Sequence, residues 1–403
     1  VDQKRSLFVS LVVAIVGFGI VMVYSASITS WPTEFERIYL SRQLWALAAG
    51  MLLAAVCASI PVRFWRLAAP YLLAGTIALL VAVLFPGVGT RVNGARRWLR
   101  HGGFQFQPSE LAKLTLVLFL CSRAERMSVQ VPKSKVQGRR TSKWFPLSEL
   151  GLWTLDFGPL LLPIFLTAGL VLVEPDLGTA MFLVCCSAIA LFVAGCPARF
   201  FAGAAALTIP AAGLVAALRP YQIRRLTGFL AAWSDSQVPY QLDQSLVSMG
   251  AGGLFGVGLG KGWQKLSFLP EANTDFVFSV VGEELGLVGT FGLLALWGAF
   301  FWAGLQLVRN ARHDRFAATA SFTLLTQMVL QVLINMAVVT ALIPPKGIPL
   351  PLVSYGGSSL VMNLASLGII LSLTRGVRVA RSAARALSNP EGHPLQLCRP
   401  EPS

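Results

Sequence analysis

Residues 276–308 read FVFSVVGEELGLVGTFGLLALWGAFFWAGLQLV. The stretch carries two charges, the adjacent Glu283 and Glu284. About 20 apolar residues suffice to cross a hydrocarbon core as a helix. This run is too long for one straight crossing, so it extends past the bilayer or tilts. Around it the 403-residue chain is 55% hydrophobic and only 13% charged, with a mean hydropathy of +0.66. A soluble domain carries about 25% charge. Half that density does not cover a globule of this size, so a soluble fold is excluded.

Nine further apolar segments flank the first, near 7–27, 44–60, 67–85, 109–122, 157–173, 177–195, 200–218, 316–342 and 356–374. The reading is an all-α polytopic membrane protein of about ten spans. Residues 7–27 read as the first span rather than a cleaved leader. Ten spans put both termini on one side. The termini and alternate loops hold 20 of the 33 Lys and Arg, against 12 on the other side, which places the termini in the cytoplasm. The formal charge of +15 is therefore mostly topology, and no nucleic-acid partner is expected. One transmembrane domain over 1–376, a basic cytoplasmic loop at 123–148, a large extracytoplasmic loop at 219–275 and a disordered cytoplasmic tail at 377–403 complete the plan. The six cysteines lack C-x-x-C spacing, and three histidines are too few for a multi-His metal site.

Positive charge on the outer side runs against the topology bias and asks for a reason. One basic outer loop spans 86–108, with Arg96, Arg97 and Trp98. The arginines suit phosphate in a fork geometry, or interfacial anchoring. The other, 219–275, carries glycines between 250 and 262, then Lys261, Lys265, Glu271 and Asp275. No strand precedes the glycines, so they read as tight turns, close backbone approach and re-entrant packing rather than a dinucleotide site. Asp275 stands where the loop meets a span. It is either a helix cap or a carboxylate of raised basicity. Glu110 and Lys113 lie three residues apart inside the fourth span, as a structural pair or as the wall of a polar cavity for a lipid head group. Glu283 or Glu284 is a further candidate partner for Lys113, Arg96 or Arg97. Glu174-Pro175-Asp176 makes a tight turn with a helix cap. The Pro-broken stretch 344–359 offers Ser354 and Ser358 to a ligand.

Taken together, NGARRWL (93–99), FQPSELAK (106–113), EPDLGTA (174–180), the glycine run 252–260, LPEANTDFVFSVVGEELGLVG (269–289) and GIPLPLVSYGGSS (347–359) resemble the SEDS family, the FtsW/RodA/SpoVE proteins, over nearly the whole chain. GEELG and the Lys-Gly of PPKG resemble the FtsW branch more than RodA. The family often has His where this chain has Asn273, so that position is not an essential catalyst here. The resemblance implies a peptidoglycan glycosyltransferase of septal cell-wall synthesis. It would polymerise lipid II, a disaccharide-peptide on undecaprenyl diphosphate, into β-1,4 glycan strands at the outer face of the bacterial plasma membrane. It implies partners too: a class B penicillin-binding transpeptidase, divisome proteins and membrane lipid. The family's loop aspartate maps onto Asp275 as catalyst, and its span-four lysine onto Lys113. Arg96, Arg97, Trp98, Gln107, Glu110, Lys113, Lys261, Lys265, Glu271, Ser354 and Ser358 are the expected substrate contacts. No protein metal site is expected, though a divalent cation such as Mg or Mn on the diphosphate is compatible. The rival readings are a lipid II flippase, an elongation polymerase of the RodA type, and a scaffold without catalysis.

Overall fold

The computed structural model describes residues 2–27, 35–92, 95–101, 104–130, 147–196, 198–217, 223, 227–230, 239–266 and 268–375. Its long helices follow the apolar segments: α1 Asp2–Ala26, α2 Phe35–Ser59, α3 Val62–Leu84, α4 Pro108–Gln130, α5 Leu147–Val173, α6 Leu177–Val193, α7 Ala198–Ala217, α9 Val277–Val308, α10 Arg315–Val339 and α11 Gly357–Leu373. A short α8, Tyr240–Ala251, lies between α7 and α9. Five helices, α1, α2, α3, α9 and α10, are long and apolar enough to cross a membrane, and α5, α6, α7 and α11 contain shorter apolar helices. Exposed apolar side chains such as Trp45, Leu52, Tyr71 and Leu162 cover the outside of the bundle. That is the pattern of a surface solvated by lipid.

α4 sits in the middle and touches α3, α5, α6, α10 and α11. Its burial explains how a helix with Glu110 and Lys113 belongs inside. α4 runs on to Gln130, so the first residues of the expected basic loop are helical. Glu125 gives the physical reason, because Arg66 of α3 binds it at 3.1 Å and also binds Asp314, the N-cap of α10, at 2.7 Å. Most of the expected loop 123–148 and the tail 377–403 lie outside the described residues. The 86–108 segment adds one β element to the all-α plan. Strands β1 Gly89–Val92, β2 Ala95–His101 and β3 Phe104–Phe106 form an antiparallel sheet in that order.

The long run quoted above is two helices rather than one tilted rod. Gly286 breaks α9 with φ 66° and ψ −162°, a region open essentially only to glycine. A break inside a lipid-solvated bundle strands backbone groups that water cannot reach. The glycine run satisfies them. The N–H groups of Val257 and Gly258 donate to the carbonyls of Glu283 and Glu284, both at 3.0 Å. In return the N–H groups of Leu287 and Val288 donate to the carbonyls of Gly253 and Leu254 at 3.0 and 3.1 Å. The approach leaves no room for side chains. A Cβ on Gly256 would stand 2.2 Å from the Glu284 carbonyl oxygen, and one on Gly286 2.4 Å from the Gly256 nitrogen.

Two carboxylates lock the same junction. Glu284 is fully buried, binds Lys265 at 2.6 Å and accepts from Ser25 of α1 at 2.6 Å. Glu283 accepts from the N–H groups of Trp263 and Gln264 at 2.6 and 3.1 Å and from Ser248 at 3.1 Å. The expectation that Glu283 or Glu284 would meet Lys113, Arg96 or Arg97 is thereby corrected. The loop folds back onto the helix break and takes both carboxylates for itself.

The junction makes a stability prediction. Gly286→Ala adds an unfavourable φ and a clash, about 3 kcal/mol or more together. Its thermal midpoint in detergent, followed by tryptophan fluorescence, should fall well below wild type. Gly17→Ala in α1, where a Cβ meets nothing within 4 Å, should leave the midpoint unchanged.

Candidate active site

The N-terminal ends of α4, α6, α9 and α11 gather at one end of the bundle. Pro108 opens α4, where its missing N–H costs nothing. Glu110 follows in the first turn, where the helix dipole favours an acid. Lys113 binds Glu110 at 2.8 Å, and both are buried. The Lys113 ammonium also donates to Gln331 of α10 at 3.2 Å and lies 5.5 Å from the Phe182 ring centroid. Gln107, Glu110 and Lys113 form one wall of a small open pocket of about 30 Å³. Thr179 and Phe182 of α6 form a second wall, and the loop residues 347–349 a third.

Asp275 lies behind the Gly347 wall of this pocket. A Cβ on Gly347 would stand 2.9 Å from Asp275 Oδ2, so the carboxylate lies directly against the loop here. The N-cap of α9 is Phe276, with no side-chain cap. The capping reading of Asp275 thus loses its position. Two carboxamides of α10, one helical turn apart, hold the assembly. Gln331 donates to the Pro349 carbonyl at 2.9 Å. Asn335 donates to the Asp275 and Ile348 carbonyls, both at 2.8 Å.

The other expected contacts fall into two groups. Gln107 lines the cavity, and its N–H donates to Ser358 Oγ at 3.2 Å, while Ser358 donates to the Gln105 carbonyl at 2.7 Å. Ser354 accepts from the Leu350 N–H at 2.9 Å. Both serines thus hold backbone beside the cavity. Glu271, exposed at φ 56°, accepts from the Thr274 hydroxyl at 2.9 Å and shapes the turn before Asp275. Arg97 donates to the carbonyls of Glu174 and Pro175 at 2.8 and 2.5 Å and faces Asp176 at 3.6 Å. It clamps the sheet to the α5–α6 turn. Arg96 donates to the Leu84 carbonyl at 3.3 Å, and Trp98 pairs across the sheet with Thr90. Lys261 is exposed on the glycine loop, and Lys265 is committed to Glu284. Phe182, Gln331 and Asn335 were not singled out from the sequence, and Thr179 reads there only as part of the turn that starts at Glu174. For Gln331 and Asn335 a signal was there, two amides four residues apart in an apolar helix.

Among the described residues no group of three or more His, Cys, Asp or Glu comes together. Glu174, in the turn clamped by Arg97, is fully buried, and neither carboxyl oxygen has a hydrogen-bond partner. Burial first, then Asp176, pushes its carboxyl up to about 8, against the opposing pull of Arg97.

The family model described as "Cell cycle protein" (FtsW/RodA/SpoVE) matches residues 5–379. A protein of Trichlorobacter lovleyi named "Probable peptidoglycan glycosyltransferase FtsW" is 36% identical over 373 residues, covering 92% of this chain and 93% of its own. One of Thioalkalivibrio sulfidiphilus with the same name is 38% identical, covering 93% and 90%. A chain solved under the heading of a peptidoglycan synthase complex that coordinates polymerization and crosslinking is 31% identical, with a TM-score of 0.69 over 92% of this chain and 97% of its own. The rod shape determining protein RodA of Thermus thermophilus is 31% identical, with a TM-score of 0.60 over 91% and 95%.

Glu174 makes a pH prediction. Its folded value lies above the ordinary 4.5. Between about 4.5 and about 8 the folded chain therefore holds a proton that the unfolded chain releases. Stability should fall as pH rises through that window and level off above it. In thermal melts from pH 5 to pH 9, Glu174→Gln should flatten this slope. An unchanged slope would mean that Glu174 does not carry it.

Proposed function

The chain belongs to the FtsW/RodA/SpoVE family of cell cycle proteins, and we propose that it is a peptidoglycan glycosyltransferase that polymerises lipid II into glycan strands. The observation that carries this reading is the buried Glu110–Lys113 pair in a polar pocket whose loop wall, at Gly347, lies against the Asp275 carboxylate, at one end of a multi-pass bundle. The Lys/Arg asymmetry of the loops supports placing that end at the outer face of the plasma membrane. The FtsW names of the relatives favour a septal role beside a class B transpeptidase and other division proteins. The solved synthase complex favours such a partner as well.

The chemistry is an inverting displacement. The acceptor 4-hydroxyl oxygen bonds to C1 of the donor sugar as the bond from C1 to the phosphate oxygen breaks. The electron pair leaves with the lipid diphosphate, and the hydroxyl proton passes to Asp275 as general base. Asn335 fixes the backbone of Asp275 and so aims its carboxylate. Lys113, steadied by Glu110 and Gln331, supplies a fixed positive end toward developing negative charge. A divalent cation on the diphosphate would find few free acids here, because Glu110 is already paired with Lys113. No step is assigned to such a cation.

The test is strand synthesis by purified protein and its transpeptidase partner in detergent, where nothing can be transported. Wild type should make glycan strands. Asp275→Ala should lose about 10²–10⁴-fold in rate, the usual share of a general base. Strands made at the wild-type rate by Asp275→Ala would remove Asp275 from the mechanism. No strands from wild type would favour the flippase or scaffold reading.

A further inference from the structure

Most of the cations expected to meet the substrate already have partners in the protein. Lys113 binds Glu110, Arg97 serves two carbonyls and Asp176, Arg96 serves the Leu84 carbonyl, and Lys265 binds Glu284. A departing lipid diphosphate is an anion whose charge grows as its bond to the sugar breaks. Lys113, partly neutralised by Glu110, leaves room for a second cation at the pocket edge that no carboxylate has claimed.

Lys346 is such a cation. It directly precedes Gly347 of the cavity wall. Its stem crosses the first turn of α6, with Cδ 3.5 Å from where a Cβ on Gly178 would stand, one residue from Thr179 of the opposite wall. The ammonium forms no ion pair among the described residues, and its hydrogen bond goes to the Met181 sulfur at 3.3 Å. A thioether is a weak acceptor. Met181 is 47% exposed, on a flank of α6 that it shares with exposed Phe192. A substrate whose tail stays in the bilayer would come in from such an apolar flank. We propose that Lys346 is a substrate-binding residue that receives the diphosphate of the lipid-linked sugar at the edge of the cavity. The proposal rests on the glycosyltransferase reading. A lysine suits the task because its flexible stem can swing from sulfur to phosphate as a point charge. Burial draws the ammonium below its ordinary value, only partly offset by Asp176, so an arriving anion would stabilise the charged form.

The experiment compares wild type, Lys346→Met and Lys346→Arg with the transpeptidase partner in neutral detergent, free of anionic lipid. It reads lipid II polymerisation kinetics, direct binding of undecaprenyl diphosphate and thermal midpoints. Lys346→Met should raise KM and weaken diphosphate binding about ten-fold or more, the usual loss of a charge-assisted hydrogen bond. Its kcat should fall as well, because the anion's charge grows as the bond breaks, and its midpoint should stay at the wild-type value. Lys346→Arg should restore most of the binding. Wild-type KM and binding in Lys346→Met would overturn the proposal. So would a defect that appears only in vesicles containing phosphatidylglycerol, which would make Lys346 a head-group anchor. Equal loss in both variants with lowered midpoints would make it a packing residue and overturn the proposal too. If wild type makes no strands, the glycosyl-transfer reading fails, while diphosphate binding still decides on Lys346.

Discussion

A helix broken inside a lipid-solvated bundle must find hydrogen-bond partners within the protein. Here the break at Gly286 leaves the carbonyls of Glu283 and Glu284 and the N–H groups of Leu287 and Val288 without helical partners. The glycine stretch answers all four. Because it must come so close, it accepts no side chain at Gly256. The loop leading to Asp275 is therefore tied through the backbone to the break, through Lys265 to Glu284, and at its end by Asn335 on the Asp275 carbonyl. Removing one partner of such a buried pair costs about 3–5 kcal/mol. A rigid loop is what a general base needs, since small displacements of a reacting group cost rate steeply.

The same economy governs the cations. Charges buried in a bundle are tolerated when paired, and the described basic residues near the cavity mostly are. Pairing turns Arg97 into a clamp on the Glu174 turn and Lys265 into a tie of the glycine loop. On the proposed reading, the substrate's charge falls to Lys113, held in place by Glu110, and to the thioether-bound Lys346. The excess charge of +15 thus says little about the ligand, whereas the pairing pattern says much.

The spans were legible because apolar length and sparse charge are properties of the sequence alone. α4 was the least apolar of them, and only its central place in the bundle accounts for Glu110 and Lys113. The glycines read correctly as close backbone approach, but the partner they approach lies at Gly286, across a turn that the sequence does not measure. The sheet at 89–106 was missed because its strands are short and sit in a loop read for charge. For the site, Asp275, Gln107, Glu110 and Lys113 came from motif and charge. The other end of each contact did not. Gln331 and Asn335 look like ordinary polar residues of α10 until the fold brings residues 347–349 and Asp275 to them. For Arg96, Arg97 and Lys265 the sequence shows the cation but not the carbonyl or carboxylate that each one meets in the fold.

The most direct test of the account is an experimental structure of the Asp275→Asn variant with lipid II in the cavity. The account predicts an acceptor 4-hydroxyl about 3 Å from the side chain at position 275, with the donor's diphosphate on the Lys113 and Lys346 side. An acceptor sugar bound away from position 275, or a diphosphate held instead by the sheet arginines, would contradict it.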